Sequence, residues 1–150
     1  MRFILIFLSI YYLIIGNILL PIGTASADVL HNYKILKVID GDTVEIEATY
    51  LPDPLKKHLS LRLHGIDTPE KGFRAKCDKE NIMSLNAKLF LEQEISNGKK
   101  IQIKIVSWDK YGGRVLGDII IDNQSVVNKM IKGGYGVPYF GKGDKKDWCK

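Results

Sequence analysis

Residues 59–70 read LSLRLHGIDTPE, a strand pattern that runs directly into an acidic turn. Leucines alternate with polar residues in the first half, which predicts a β-strand with one face in the core. This parity places Arg62 on the face opposite the leucines. A glycine and a proline then interrupt the pattern and mark the end of the strand.

Four other segments also show β patterning, and together with the strand above they predict five strands. The first two are residues 33–39 and 43–50, joined by a turn at Asp40-Gly41-Asp42. The last two are residues 101–105, where isoleucines alternate, and residues 115–121. Short runs of this kind, bounded by turn residues, are typical of small β-barrels and sandwiches.

Two helices are predicted among these strands. The longer one runs from about Asp78 to Ser96 and places Ile82, Leu85 and Leu89 on one apolar stripe. A shorter one covers residues 126–131. The fold class is therefore α+β, mainly β: an OB-fold, that is, a five-stranded Greek-key barrel with a helix between strands 3 and 4 and a short C-terminal helix.

Residues 1–27 have the composition of an export signal. Arg2 precedes an apolar run from Phe3 to Leu20, and the small residues 25–27 form an A-x-A cleavage pattern. The domain is then 28–150, exported to a secreted or periplasmic location. The apolar run is also about long enough to span a bilayer, so an uncleaved membrane anchor is the competing interpretation.

Composition and cysteine content limit the remaining classes. The chain has 150 residues, of which 45% are hydrophobic and 26% charged, which excludes disordered and low-complexity proteins. Its net charge is +5, or +4 without Arg2, and a basic balance favours an anionic partner. Cys77 and Cys149 are either a disulfide, as expected in an exported chain, or two free thiols.

Three polar motifs follow the predicted strands, and together they resemble the staphylococcal nuclease-like (thermonuclease) family. They are I-D-G-D-T at residues 39–43, Arg62 followed by I-D-T-P-E at residues 66–70, and D-K-Y-G-G-R at residues 109–114. The last motif departs from the commoner family pattern by carrying a second glycine, Gly113. The resemblance implies hydrolysis of phosphodiester bonds in DNA and RNA with a calcium ion, leaving 3′-phosphate ends.

The resemblance also implies a calcium site built from oxygen atoms. Asp42 and Asp67 match the two carboxylate ligands, Thr68 matches a ligand that uses its main-chain carbonyl, and Asp40 matches a carboxylate that acts through water. Calcium is a hard cation that takes six to eight oxygen ligands, so this donor set suits Ca²⁺ on chemical grounds.

Further positions match catalytic and substrate-binding residues of the family. Arg62 and Arg114 match two arginines that contact phosphate, which suits the planar, permanently charged guanidinium group. Glu70 matches the residue that orients or deprotonates the attacking water. The implied nucleotide contacts come from Lys110, Tyr111 and Tyr139.

A non-catalytic OB-type module that binds nucleic acid is the alternative function. The expected partners are DNA and RNA, with a monomer, no obligate protein partner, and a membrane only if the leader is retained. The lysines at 142, 145 and 146 are interpreted either as a basic rim for the polyanion or as an ordinary soluble tail. Trp108 and Trp148 are predicted to be structural.

Overall fold

The computed structural model describes residues 28–110 and 112–150, so the predicted leader and Tyr111 lie outside the described residues. The described part contains nine strands and two α-helices. In chain order these are β1 (Leu30–His31), β2 (Ile35–Asp40), β3 (Thr43–Glu47), β4 (His58–Leu63), β5 (Ile66–Asp67), α1 (Asp78–Asn97), β6 (Ile101–Trp108), β7 (Arg114–Ile121), β8 (Gln124–Ser125), α2 (Val126–Lys132) and β9 (Val137–Pro138). A 3₁₀ turn, Gly72–Arg74, precedes α1.

The strands form one large sheet and one small one. The large sheet has seven strands in the order β1-β6-β7-β4-β3-β2, with β8 added beside β7. β4 and β7 run parallel, and the other pairs are antiparallel. β5 and β9 form a separate antiparallel pair. The predicted mainly-β α+β class is confirmed, and the five predicted strands are β2, β3, β4, β6 and β7. The additional strands are two residues long, too short to show alternation in sequence.

Period-2 alternation in the main strands builds the core. In β7, half-buried residues alternate with buried ones along the whole strand. In β3 and β4 the buried apolar side chains are the ones that the sequence places on the apolar face, including Val44, Ile46 and Leu61. The helices close the core, whose buried members are Val44, Ile46, Leu61, Leu63, Ile66, Ala87, Leu91, Ile103, Val115, Ile119, Ile121, Val126, Val127 and Met130.

The face of α1 that packs on the domain is not the predicted apolar stripe. Ile82, Leu85 and Leu89 are 58%, 51% and 54% exposed, so the predicted apolar stripe is not the face of α1 that packs on the core. The buried side chains of α1 are instead Glu80, Ser84, Ala87 and Leu91. Three of these are small or polar because this face meets a close backbone turn and a loop that needs hydrogen-bond acceptors.

A disulfide between Cys77 and Cys149 joins the start of α1 to residues 141–150, which we call the tail. Cys77 is also the N-cap of α1, where its sulfur accepts a hydrogen bond from the Glu80 main-chain N–H. Neither helix of the described residues is long and apolar enough to cross a membrane.

Candidate active site

The turn between β2 and β3 carries two carboxylates, and its glycine packs closely against α1. A Cβ atom on Gly41 would come within 2.9 Å of the Ala87 Cβ and 3.1 Å of the Thr68 Oγ1, so the turn needs glycine to approach this closely. The Asp42 main-chain N–H donates to Asp40 Oδ1 over 3.3 Å. Both carboxylates are therefore held at one end of the sheet, beside Thr68.

Asp42 and Arg62 form a two-pronged ion pair across β3 and β4. Arg62 lies opposite Thr43 in the strand register, and its Nη1 and Nη2 lie 2.9 Å and 2.8 Å from Asp42 Oδ1 and Oδ2. The Thr43 hydroxyl donates to Asp42 Oδ1 over 2.9 Å. Burial raises the pKa of Asp42 to about 6, outweighing the lowering by Arg62, and the nearby Asp40 charge adds to the rise.

Asp67 is the most deeply buried carboxylate of the site, 1% exposed. The Trp148 indole Nε1–H donates to Asp67 Oδ2 over 3.3 Å. Lys145 Nζ lies 2.8 Å from Asp67 Oδ1, an ion pair in which that oxygen receives no well-aligned hydrogen bond from the described residues. The buried Thr68 follows directly, so a main-chain carbonyl lies next to this carboxylate.

Charged side chains contact both the main chain and the carboxylate of Glu70. Its main-chain N–H donates to Glu80 Oε1 over 3.2 Å, and Glu80 Oε2 accepts from the Lys76 N–H over 2.7 Å. The Glu70 carboxylate lies 3.3 Å from Arg74 Nε and 3.2 Å from Lys145 Nζ. Burial lowers the pKa of Lys145, but its contacts with the two carboxylates outweigh that effect and raise it above the ordinary value.

The extra glycine in the third motif lies in the turn that precedes β7. Gly112 and Gly113 both have positive φ angles, 71° and 67°, which glycine adopts without strain. The Asp109 N–H donates to the Arg114 carbonyl over 2.9 Å, and Arg114 Nε donates to Asp109 Oδ2 over 2.7 Å. The insertion is therefore taken up before β7 begins, and the Arg114 side chain is oriented by Asp109.

These side chains share one cleft of about 250 Å³. Among the predicted site residues, six line it: Asp40, Asp42, Arg62, Thr68, Glu70 and Arg114. Asp67 is buried and does not line the cleft, although its neighbour in the chain, Thr68, does.

Of the predicted nucleotide contacts, the two that the structure describes, Lys110 and Tyr139, do not line this cleft. Lys110 lies in the turn before β7, and Tyr111 is outside the described residues. Tyr139 lies close by, with its hydroxyl donating to the Gly143 carbonyl over 3.4 Å and Lys145 Nζ 6.0 Å from its ring centroid. Tyr135 stacks on Phe90 at 4.2 Å and belongs to the core.

The oxygen set fits a hard divalent cation. Asp42 is a buried carboxylate whose pKa is raised, and Asp67 Oδ1 lacks a well-aligned donor, so both would gain from a cation. No group of three or more His, Cys, Asp or Glu in the described ranges is arranged to hold a metal. The implied set requires only two direct carboxylates, since Thr68 uses its carbonyl and Asp40 acts through water.

Sequence reasoning missed four residues that hold this site. Arg74 lines the cleft and contacts Glu70, while Glu80, Lys145 and Trp148 contact the site from α1 and from the tail. Lys145 is neither of the predicted alternatives, since it pairs with carboxylates. Trp148 is buried, and its only polar atom reaches Asp67, whereas Trp108 is 62% exposed and contributes little to the core. The even cysteine count was the one sequence signal that could have predicted a tail close to this site, through a Cys77–Cys149 disulfide.

A mainly-β domain of the OB class with carboxylates and guanidinium groups in one cleft defines a class of candidate phosphate-ester enzymes. Residues 60–148 match the family model described as staphylococcal nuclease homologue, and the chain belongs to this family.

A relative is the uncharacterized protein MJ1439 of Methanocaldococcus jannaschii, 30% identical over 139 residues. The match covers 78% of this chain and 64% of that protein, so the chain spans less than two-thirds of its relative.

Proposed function

We propose that this protein is an exported, calcium-dependent nuclease that hydrolyses phosphodiester bonds of DNA and RNA and leaves 3′-phosphate ends. The observation that carries the proposal is the shared cleft, in which Asp42, Thr68 and Glu70 lie with Arg62 and Arg114. Family membership supports the relation to nucleases. The oxygen donors described above support calcium.

The cleft divides the work of hydrolysis between its cationic and anionic groups. Negative charge accumulates on the phosphoryl oxygens in the transition state, and Arg62 and Arg114 present donors that match those oxygens. Asp109 holds the Arg114 guanidinium in place, which reduces the entropy lost on binding phosphate. Arg62 pairs with Asp42 in this structure and would turn to phosphate when a cation takes Asp42. Calcium, when bound by Asp42, Asp67 and Thr68, would add positive charge beside the phosphate.

In this proposal Glu70 orients or deprotonates the attacking water. Its carboxylate is one-third exposed, lines the cleft, and is fixed by Arg74 and by the Glu80 contact to its own main chain. Carboxylates are weak bases toward water, so orientation is an essential part of this role.

Export is supported by the predicted leader and by the Cys77–Cys149 disulfide. Disulfides form and persist in oxidising compartments and are rare in the cytosol. The proposed location is therefore secreted or periplasmic, with a membrane-anchored form if the leader is retained.

Plasmid and RNA digestion with calcium, and again with a chelator, tests the proposal. We expect cleavage with calcium, none with chelator, and products that need dephosphorylation of their 3′ ends before a polymerase can extend them. Glu70→Gln is expected to lower the rate by about 10²-fold or more.

Glu92→Gln is the matched control, because Glu92 lies on α1 and pairs, among the residues that the structure describes, only with Lys88. Equal rates for the folded Glu70→Gln variant and the control would contradict the role of Glu70. Nucleic-acid binding without chelator-sensitive cleavage would favour the non-catalytic module.

A further inference from the structure

Lys145 takes a position that the proposed function does not use. Its Nζ atom lies 2.8 Å from Asp67 Oδ1 and 3.2 Å from Glu70 Oε1. One ammonium group thus bridges an implied calcium ligand and the residue expected to handle water. Lys145 belongs to none of the three motifs, and it reaches the site from the tail, 78 positions after Asp67 in the sequence.

The tail is anchored on both sides of Lys145. On one side the Tyr139 hydroxyl donates to the Gly143 carbonyl over 3.4 Å. On the other, Trp148 is buried against Asp67, and Cys149 is bonded to Cys77 at the start of α1. Tethering a charged group beside its partner raises its effective concentration there far above that of a free ion.

The neighbouring tail lysines are placed differently. Lys146 Nζ lies 4.1 Å above the Trp148 ring, and Lys142 is exposed. No carboxylate pairs with Lys142 or Lys146 among the described residues. The contact with both carboxylates is therefore specific to Lys145 and is not a general effect of a basic tail.

We propose that Lys145 is an internal counter-ion of the candidate calcium site, and that it must leave Asp67 before a divalent cation can bind there. This inference rests on the proposed function for its metal site. An ammonium group and a divalent cation repel each other strongly at contact distance, so both cannot occupy the same carboxylate oxygen. The tail would thus set the calcium concentration at which the site fills, and the anchors on both sides would return Lys145 when calcium leaves.

Calcium titration by calorimetry, with the full protein stripped by chelator and dialysed, tests the competition. Lys145→Met keeps the aliphatic stem and removes the charge, and we expect it to bind calcium about tenfold more tightly at low salt. The gain is expected to shrink in 1 M salt, where charges are screened within a few ångströms. Lys145→Arg keeps the charge and is expected to stay near wild type, as is Lys142→Met, the matched control.

Lysine acetylation followed by mass spectrometry provides a readout that does not depend on cleavage. Without calcium, Lys145 is expected to react more slowly than Lys142, and saturating calcium is expected to raise only the reactivity of Lys145.

The outcomes separate the two proposals. Calcium-dependent cleavage with unchanged or weaker calcium binding by Lys145→Met would overturn the counter-ion role and leave the nuclease standing. If calcium released Lys145 but no cleavage occurred, the counter-ion role would stand and the nuclease proposal would be wrong. If neither the wild type nor any of the variants bound calcium at up to millimolar concentrations, both the nuclease proposal and the counter-ion proposal would be wrong.

Discussion

The acidic corner, residues 40–42 and 67–70, and the tail, residues 141–150, meet at the same carboxylates but arrive there by different means. The corner is local: each carboxylate lies where a strand ends, and the strand register fixes the Asp42–Arg62 pair. The tail is non-local and depends on a disulfide to a residue 72 positions away. Motifs thus identify the groups of a site, whereas the groups that balance their charge can come from segments that carry no motif.

Removing the disulfide tests this comparison most severely. Cys77→Ser together with Cys149→Ser is expected to lower the free energy of unfolding by about 4 kcal/mol, because the bond closes a long loop in the unfolded chain. Chemical denaturation of the oxidised protein and the double variant measures the difference.

Reductant serves as the control, since it is expected to destabilise the wild type and to leave the double variant unchanged. Limited trypsin digestion reports the tail directly, and cleavage at Lys145 or Lys146 is expected to accelerate in the variant. Equal stability together with a protected tail would show that packing alone, without the tether, holds these residues.

A second experiment separates the Trp148 contact from the tether. Trp148→Phe keeps most of the apolar ring but removes the only hydrogen-bond donor to Asp67 Oδ2 among the described residues. Leaving a buried carboxylate oxygen without its donor is expected to cost about 2 kcal/mol of unfolding free energy.

Trp108→Phe is the matched control, because Trp108 is 62% exposed and its indole has no hydrogen bond to lose in the described part of the chain. We expect a change below about 0.5 kcal/mol there. If the two variants were equally stable, the indole contact to Asp67 would contribute nothing, and the tail would be held by its disulfide and by the contacts of Lys145 and Gly143.

The main strands and the acidic corner could be predicted from the sequence because both signals are local. Period-2 alternation marks strands such as Thr43–Glu47 and Arg114–Ile121, and turn residues mark the ends at which the carboxylates lie. The family motifs then place Arg62, Glu70 and Arg114 in one cleft, as found.

The orientation of α1 could not be predicted in this way. Apolar residues at helical spacing normally mark the packing face, but here Leu85 and Leu89 are exposed while Ser84 and Ala87 are buried. The reason lies in a neighbour that the helix sequence does not contain, since the turn at Gly41 comes too close for a larger side chain. Lys145 and Trp148 were missed for a similar reason, because their partners are distant in sequence.

The smallest expected effect concerns Glu80, a residue of α1 that hydrogen-bonds to the main chain of the acidic corner. Glu80 is buried and accepts hydrogen bonds from the main-chain N–H groups of Glu70 and Lys76. Glu80→Gln keeps one acceptor and turns a donor toward the other N–H, but it also removes a buried charge. Because these terms oppose each other, we expect a loss of only about 1 kcal/mol in unfolding free energy.

A measurable loss of cleavage should accompany this small change in stability, because the loop that carries Glu70 would lose one of its hydrogen bonds to α1. Glu92→Gln makes the same chemical change on the exposed part of α1 and should alter neither property. If Glu80→Gln lowered stability while cleavage stayed at the wild-type rate, Glu80 would support the fold but would not position Glu70. The geometry of the acidic corner would then depend only on its own strands and turn. Unlike the tail, it would need no support from a segment distant in sequence.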